Sequence, residues 1–228
     1  NSTGLSADSG PGNQTSVYDQ TILARELLKH SAVLKWTGVW IDSLRGGDSF
    51  LRNTNTLVRF YEGCDGLKTG YTEEAGFCLV ATAQRNGVRL IATVMKAPDS
   101  KARSNEISKL FNYGFSKYKA VPVLKAGEIL GKVKVFKGKK EEMNLVVPND
   151  VNLVLKKEEE GDPEIGLYFP SKVRAPIVKG QKVGEVVISF NGEVKTRAEM
   201  VAEEDLEETG FFPFLLQITR YLLGALVR

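Results

Sequence analysis

Two runs of apolar, β-branched residues, 76–85 and 88–95, are separated only by Asn86-Gly87. Asn-Gly accepts the positive φ that both central positions of a type I′ turn require, so the pair signals an antiparallel hairpin. The middle of the chain is thereby committed to an antiparallel sheet. A helix is predicted from about Ser100, with Ile107, Leu110, Phe111, Phe115 and Tyr118 at helical spacing marking the face laid on that sheet. Upstream, Ser16 and Asp19 read as a capping box ahead of a helix through Ile22, Leu23, Leu27 and Leu28. Short strands are expected over residues 56–61 and 66–71.

After residue 119 the helical period disappears. Short strands alternate with turn signals at Lys137-Gly138-Lys139, Pro148-Asn149-Asp150, Glu160-Gly161-Asp162-Pro163, Lys179-Gly180-Gln181 and Asn191-Gly192. This spacing predicts a small all-β sandwich or barrel over 120–204. The charged run 156–162 reads as a solvated loop.

The last stretch, 205–228, is different again. Placed on a helix, Phe211, Leu215, Ile218, Leu222 and Leu226 share one face, while Gln217, Arg220, Gly224 and Arg228 form a narrow polar stripe. A mid-segment Arg220 costs about 2.5–3.5 kcal/mol to insert across a bilayer. The expected element is therefore an amphipathic helix lying in the membrane interface, with Pro213 in its first turn. A buried core or oligomer helix is the alternative. The expected class is α+β in three parts, 1–119, 120–204 and 205–228.

Composition removes several functions. The 228 residues are 42% apolar, enough for a packed core, and the net charge of +3 is spread among interspersed acids and bases. Nucleic-acid binding gets no support from it. Two cysteines, Cys64 and Cys78, are too few for a disulfide framework and read as small core thiols. No Cys/His cluster has metal-ligand spacing, so no metal or other cofactor is expected. His30, the only histidine, is expected at a helix end, where the dipole accounts for it. The chain opens on Asn1 rather than Met, which reads as a fragment or a processed product.

The chemistry concentrates at Asp65-Gly66-Leu67-Lys68-Thr69-Gly70-Tyr71. Lysine beside threonine, between glycines, suits an exposed strand that grips an anion. The ammonium is a compact charge and the hydroxyl donates to a carboxylate oxygen. Gly66 and Gly70 would let a substrate backbone approach a strand edge. Strict alternation puts Lys68 and Thr69 on opposite faces, so the reading requires an edge or twisted strand. A phosphate loop needs glycine directly before the lysine and a helix after it. Here Leu67 precedes Lys68 and strand pattern follows.

The wider context carries a family resemblance. The segments 51–55 (Leu-Arg-Asn-Thr-Asn), 63–72 around Lys68-Thr69-Gly70, and 75–83 (Ala-Gly-Phe-Cys-Leu-Val-Ala-Thr-Ala) resemble the low-molecular-mass D-alanyl-D-alanine carboxypeptidases. These are penicillin-binding proteins. Residues 1–5, 24–28 and 110–115 also resemble the family, and the resemblance extends through the β-rich region and the tail. It implies part of a penicillin-binding/β-lactamase-like transpeptidase domain, then the family's β domain and a membrane-anchor helix at the outer face of the cytoplasmic membrane. It also implies an acyl-enzyme mechanism that trims the terminal D-Ala of peptidoglycan stem peptides, and binding of β-lactams. Lys68, Thr69 and Gly70 match the family's third motif. Arg103 falls where the family has an arginine after the hairpin; helping to orient the substrate carboxylate is one expected role, and an ordinary salt bridge or helix cap is the equal alternative.

Two motifs of the family, Ser-x-x-Lys and Ser-x-Asn, are expected upstream of Asn1, so no catalytic nucleophile is assigned to this chain. Ser116-Lys117-Tyr118-Lys119 and Ser189-Phe190-Asn191 fit those patterns, but their chain order and placement argue against both. A non-catalytic cell-wall or membrane-binding module, or a β-lactamase on the same fold, are the competing functions.

Overall fold

The computed structural model describes residues 13–210 and Thr219. They divide at Lys119/Ala120 into two compact units.

The first unit opens with α1 (Val17–Leu27), capped as its sequence predicts: Ser16 Oγ accepts from Asp19 N at 3.1 Å and the Asp19 carboxylate accepts from Ser16 N. A short 3₁₀ turn leads to α2 (Leu34–Thr37), then to a hairpin of β1 (Ile41–Leu44) and β2 (Ser49–Arg52). The strand expected over 56–61 is instead a single helical turn, α3 (Leu57–Phe60). Its start is fixed by Asn55, whose Oδ1 accepts from Leu57 N at 3.2 Å and so satisfies a free backbone N–H of the first turn. Three strands follow, β3 (Cys64–Thr72), β4 (Gly76–Arg85) and β5 (Val88–Ala97), antiparallel in the order β3-β4-β5. Asn86 and Gly87 join β4 to β5 with φ of 47° and 79°, the positive values the hairpin demanded.

α4 (Ser100–Lys117) is capped by Asp99, whose carboxylate accepts from Ala102 N at 2.7 Å. Its buried stripe is Arg103, Ile107, Phe111 and Gly114. Leu110, expected on that face, is 47% exposed. The stripe steps by four, four and three residues, and Leu110 sits at its margin, on the side away from Phe111. Gly114 is on the stripe because Leu90 lies there: a Cβ would stand 2.5 Å from Leu90 Cδ1. Ile107 and Phe111 pack on Leu79, Ala81, Ala83 and Ala92. Full burial of each is worth about 1.5–3 kcal/mol. α1 reaches the other face of the sheet, where Thr21 and Thr93 share a hydrogen bond of 2.8 Å.

β6 (Tyr118–Leu124) begins two residues before the division, and the second unit continues with β7 (Ile129–Phe136), β8 (Glu142–Val146), β9 (Val151–Lys156), β10 (Glu164–Tyr168), β11 (Lys172–Arg174), β12 (Lys182–Phe190) and β13 (Glu193–Ala202). A six-stranded sheet runs β10-β12-β13-β8-β7-β11, with only β11 and β7 parallel among its described pairs, and β6 pairs with β9. Leu124, Leu153 and Leu155 of the small sheet share one core with Val133, Leu145, Val186, Ile188, Phe190 and Met200 of the large one, the layered packing of a β sandwich. The architecture is α+β, as the residue pattern implied. Residues 205–209, placed with the terminal helix on sequence grounds, stay with this unit: Leu206 bridges Ile177 and Glu208 bridges Gly138. From 211 onward the expected amphipathic helix lies outside the described residues, Thr219 excepted. Among the described residues no helix is long and apolar enough to cross a membrane.

Candidate active site

β3 lies at the edge of its sheet, as the Lys-Thr-Gly reading required. The strand is anchored at its start. Gly63 has φ of 79°, and a Cβ there would meet Gln84 O at 2.3 Å, so only glycine fits against β4. At Gly66 the packing is equally close, but against this chain rather than a substrate. A Cβ would stand 2.6 Å from Thr37 Oγ1, and Gly66 is buried, which corrects the expectation that it is open to a ligand backbone. Thr37 Oγ1 donates to Asp65 O at 2.8 Å and Asn55 Nδ2 donates to Gly66 O at 2.9 Å. Asn55 is itself 1% exposed. Asp65 is held by Arg89 through two contacts of 2.9 and 2.8 Å, and Arg89 also donates to Thr82 and Gln84. These residues fix the first half of β3.

The second half is exposed. Lys68 and Gly70 face solvent and Thr69 is half-buried. A Cβ on Gly70 would meet only Cys78 Cβ at 3.9 Å, an ordinary contact, so nothing within the described residues demands glycine there. Lys68 stands opposite Val80 and Thr69 opposite Leu79, on the two faces of the sheet. At the strand edge the Lys68 ammonium donates to the backbone carbonyl of Thr69.

Thr69 shares the α4 side of the sheet with Arg103. Its Oγ1 lies 2.7 Å from Thr54 Oγ1, and Arg103 Nη2 donates to Thr54 O at 3.3 Å. Arg103 Nη1 donates to Cys78 O at 3.4 Å, and the guanidinium stands 5.9 Å from the centre of the Phe77 ring. These hydrogen bonds are long, and Nε has no partner. The side chain is 5% exposed, and no carboxylate pairs with it among the described residues. Burial pushes its pKa below the ordinary arginine value. The alternatives of salt bridge and helix cap therefore fall to other residues: Arg89 makes the ion pair and Asp99 makes the cap.

The structure thus brings Thr69 and Arg103 together through Thr54, with Lys68 at the same strand edge. Sequence reasoning gave no individual role to Thr37, Thr54, Asn55 or Arg89. Thr54 and Asn55 stood in a segment that carried the resemblance; Thr37 and Arg89 had no signal at all. His30 is exposed just beyond α1, its N–H donating to Leu27 O. Ser116 Oγ donates to Tyr113 O at the end of α4, and Ser189 lies on β12 in the second unit. Of the two thiols, Cys64 is buried and Cys78 only half-buried.

Residues 1–99 match the family model for D-alanyl-D-alanine carboxypeptidase, and residues 118–208 match that for the C-terminal domain of penicillin-binding protein 5. The chain is similar to D-alanyl-D-alanine carboxypeptidase DacF of Bacillus subtilis, 38% identical over 219 residues, covering 94% of this chain and 56% of that relative. Among solved structures it is similar to a peptidoglycan synthesis regulatory factor (PBP3) of Streptococcus pneumoniae, with a TM-score of 0.70 and 26% identity over 91% of this chain and 64% of the other. It is also similar to penicillin-binding protein 5 of Haemophilus influenzae, with a TM-score of 0.59 and 27% identity over 85% of this chain and 57% of the other. In each case the chain spans between half and two thirds of the relative's length. With both units matched, and with the Lys-Thr-Gly strand exposed at a sheet edge, the chain belongs to the D-alanyl-D-alanine carboxypeptidase family of low-molecular-mass penicillin-binding proteins.

Proposed function

We propose that the gene product containing these residues is a serine-type D-alanyl-D-alanine carboxypeptidase, and that this chain supplies its grip on the substrate's terminal carboxylate. Lys68 provides the charge at the strand edge, Thr69 the hydroxyl donor, Gly70 the room for the peptide backbone, and Arg103 a second cation. The observation that carries the reading is Arg103. A guanidinium this buried, with an unpartnered Nε and no carboxylate counter-ion among the described residues, is costly to hold. An incoming carboxylate would relieve that cost.

Acyl transfer also needs a nucleophile and a base. These are assigned to Ser-x-x-Lys and Ser-x-Asn motifs upstream in the gene product. The serine attacks the penultimate D-Ala carbonyl, the terminal D-Ala leaves, and water releases the acyl group. The first unit is read as part of the catalytic domain and the second as the family's β domain. The apolar segment from 211 is read as the membrane attachment, with the enzyme at the outer face of the cytoplasmic membrane against peptidoglycan.

Release of D-alanine from a peptide ending in D-Ala-D-Ala is the test. The gene product is expected to release it. A product that binds the peptide but releases nothing would be a binding module; one that hydrolyses penicillin rapidly and leaves the peptide intact would be a β-lactamase. Either result refutes the assignment.

A further inference from the structure

We propose that Thr54 is a positioning residue for substrate recognition: its hydroxyl donates to Thr69 Oγ1 and so leaves the Thr69 proton free for the terminal carboxylate. The inference rests on the reading of Lys68, Thr69 and Arg103 as the carboxylate grip.

A hydroxyl carries one proton and two acceptor sites. Thr54 Oγ1 and Thr69 Oγ1 are 2.7 Å apart, and geometry allows either to donate. If Thr69 donates to Thr54, it has no proton left for a substrate. If Thr54 donates, Thr69 accepts that bond and directs its own proton to the anion. A hydroxyl donating to a carboxylate forms a charge-assisted bond, roughly twice as strong as a neutral one. Binding of an anion at the strand edge therefore selects the arrangement in which Thr54 is the donor.

The backbone around Thr54 is held for this purpose on both sides. Asn53 Nδ2 donates to Thr37 O and to Val39 O, each at 2.9 Å. Asn55 N donates to Asn53 Oδ1 at 2.9 Å, and Asn55 Nδ2 reaches β3 at Gly66 O. Thr54 itself is exposed between these two anchors. Its carbonyl accepts from Arg103 Nη2, so one residue touches both the hydroxyl and the guanidinium of the grip, from β3 and α4 respectively. Holding donors in place before the ligand arrives removes an ordering cost from binding.

Thr54→Val keeps the shape and removes the donor; Thr54→Ser keeps the donor. The measurement is kcat/KM of the gene product for D-alanine or D-alaninamide release from two peptides, one ending in D-Ala-D-Ala carboxylate and one in its carboxamide, with the melting temperature of each variant recorded. Thr54→Val is expected to lose about tenfold on the carboxylate peptide, the scale of one hydrogen bond. The loss should be several-fold smaller on the slower carboxamide reaction, whose terminal oxygen accepts only a neutral bond from Thr69, and Thr54→Ser should restore the carboxylate rate. Equal loss on both peptides means a structural role and overturns the inference, as does no loss on either. If the unsubstituted protein releases nothing from either peptide, the carboxypeptidase assignment itself fails and takes this inference with it.

Discussion

At the scale of single residues, the site separates into groups that are satisfied and groups that are not. Arg89 has Asp65, Thr82 and Gln84 as partners; Arg103 has two long bonds to backbone carbonyls and an orphaned Nε. The cysteines divide by burial instead. Cys64 is buried beside Asn55 and the Gly66 carbonyl, and burial pushes its thiol pKa above the ordinary 9.0. The folded chain thus holds that proton longer than the unfolded one. The resulting stability is complete below the unfolded value and is lost as pH rises through about 9 toward the folded value. Alkylation by iodoacetamide at pH 8, followed by peptide mass spectrometry, is expected to modify Cys78 at least tenfold faster than Cys64, on the usual dependence of rate on exposed thiolate. Equal rates would contradict the assigned burial.

At the scale of elements, β3 is a strand whose first half is fixed by neighbouring side chains and whose second half is offered. Asn55 contributes most to that division, because it bridges α3 and β3 from a buried position. Asn55→Ala would strand the Leu57 N–H and leave the Gly66 carbonyl with only the weak Cys64 thiol donor, at a cost of about 1–3 kcal/mol. Urea denaturation followed by tryptophan fluorescence reads that loss, since Trp36 and Trp40 both lie in the first unit. An unchanged midpoint would show that the bridge is unimportant. The β4–β5 hairpin was legible in Asn86-Gly87 and the α1 cap in Ser16 and Asp19, because both are decided by neighbouring residues. α3 was not, since Leu57-Val58-Arg59-Phe60 is too short for its period to choose between strand and helix. The meeting of Thr54 with Thr69 and Arg103 was not legible either. Those residues are 15 and 49 positions away, and only the folded sheet and α4 bring them to one edge.

At the scale of the whole molecule, the two units differ in how completely they bury themselves. The second has one continuous core that draws on both of its sheets. The first leaves Trp36, Phe50, Phe60 and Tyr18 at 74–78% exposure and Leu23 at 60%, more large apolar surface than a self-contained unit usually shows. The 228-residue chain is therefore expected to unfold in urea in two steps. Tryptophan fluorescence should report the earlier one, and the far-ultraviolet circular dichroism of the sandwich should persist beyond it. Coincident transitions would contradict this. The same division bears on the proposed function, because the proposed grip lies entirely in the unit expected to unfold first, and binding elements are commonly drawn from the low-stability end of a structure.

The account stands most directly on Arg103. If its guanidinium is held for a substrate carboxylate rather than for the fold, removing it should cost activity and little stability. The deciding measurement is D-alanine release by the gene product carrying Arg103→Ala, alongside its urea midpoint. A fall in kcat/KM of about one hundredfold, the scale of a lost charged hydrogen bond, with stability within about 1 kcal/mol of the parent, is the predicted result. Undiminished release, or a loss of activity that merely follows unfolding, would contradict it.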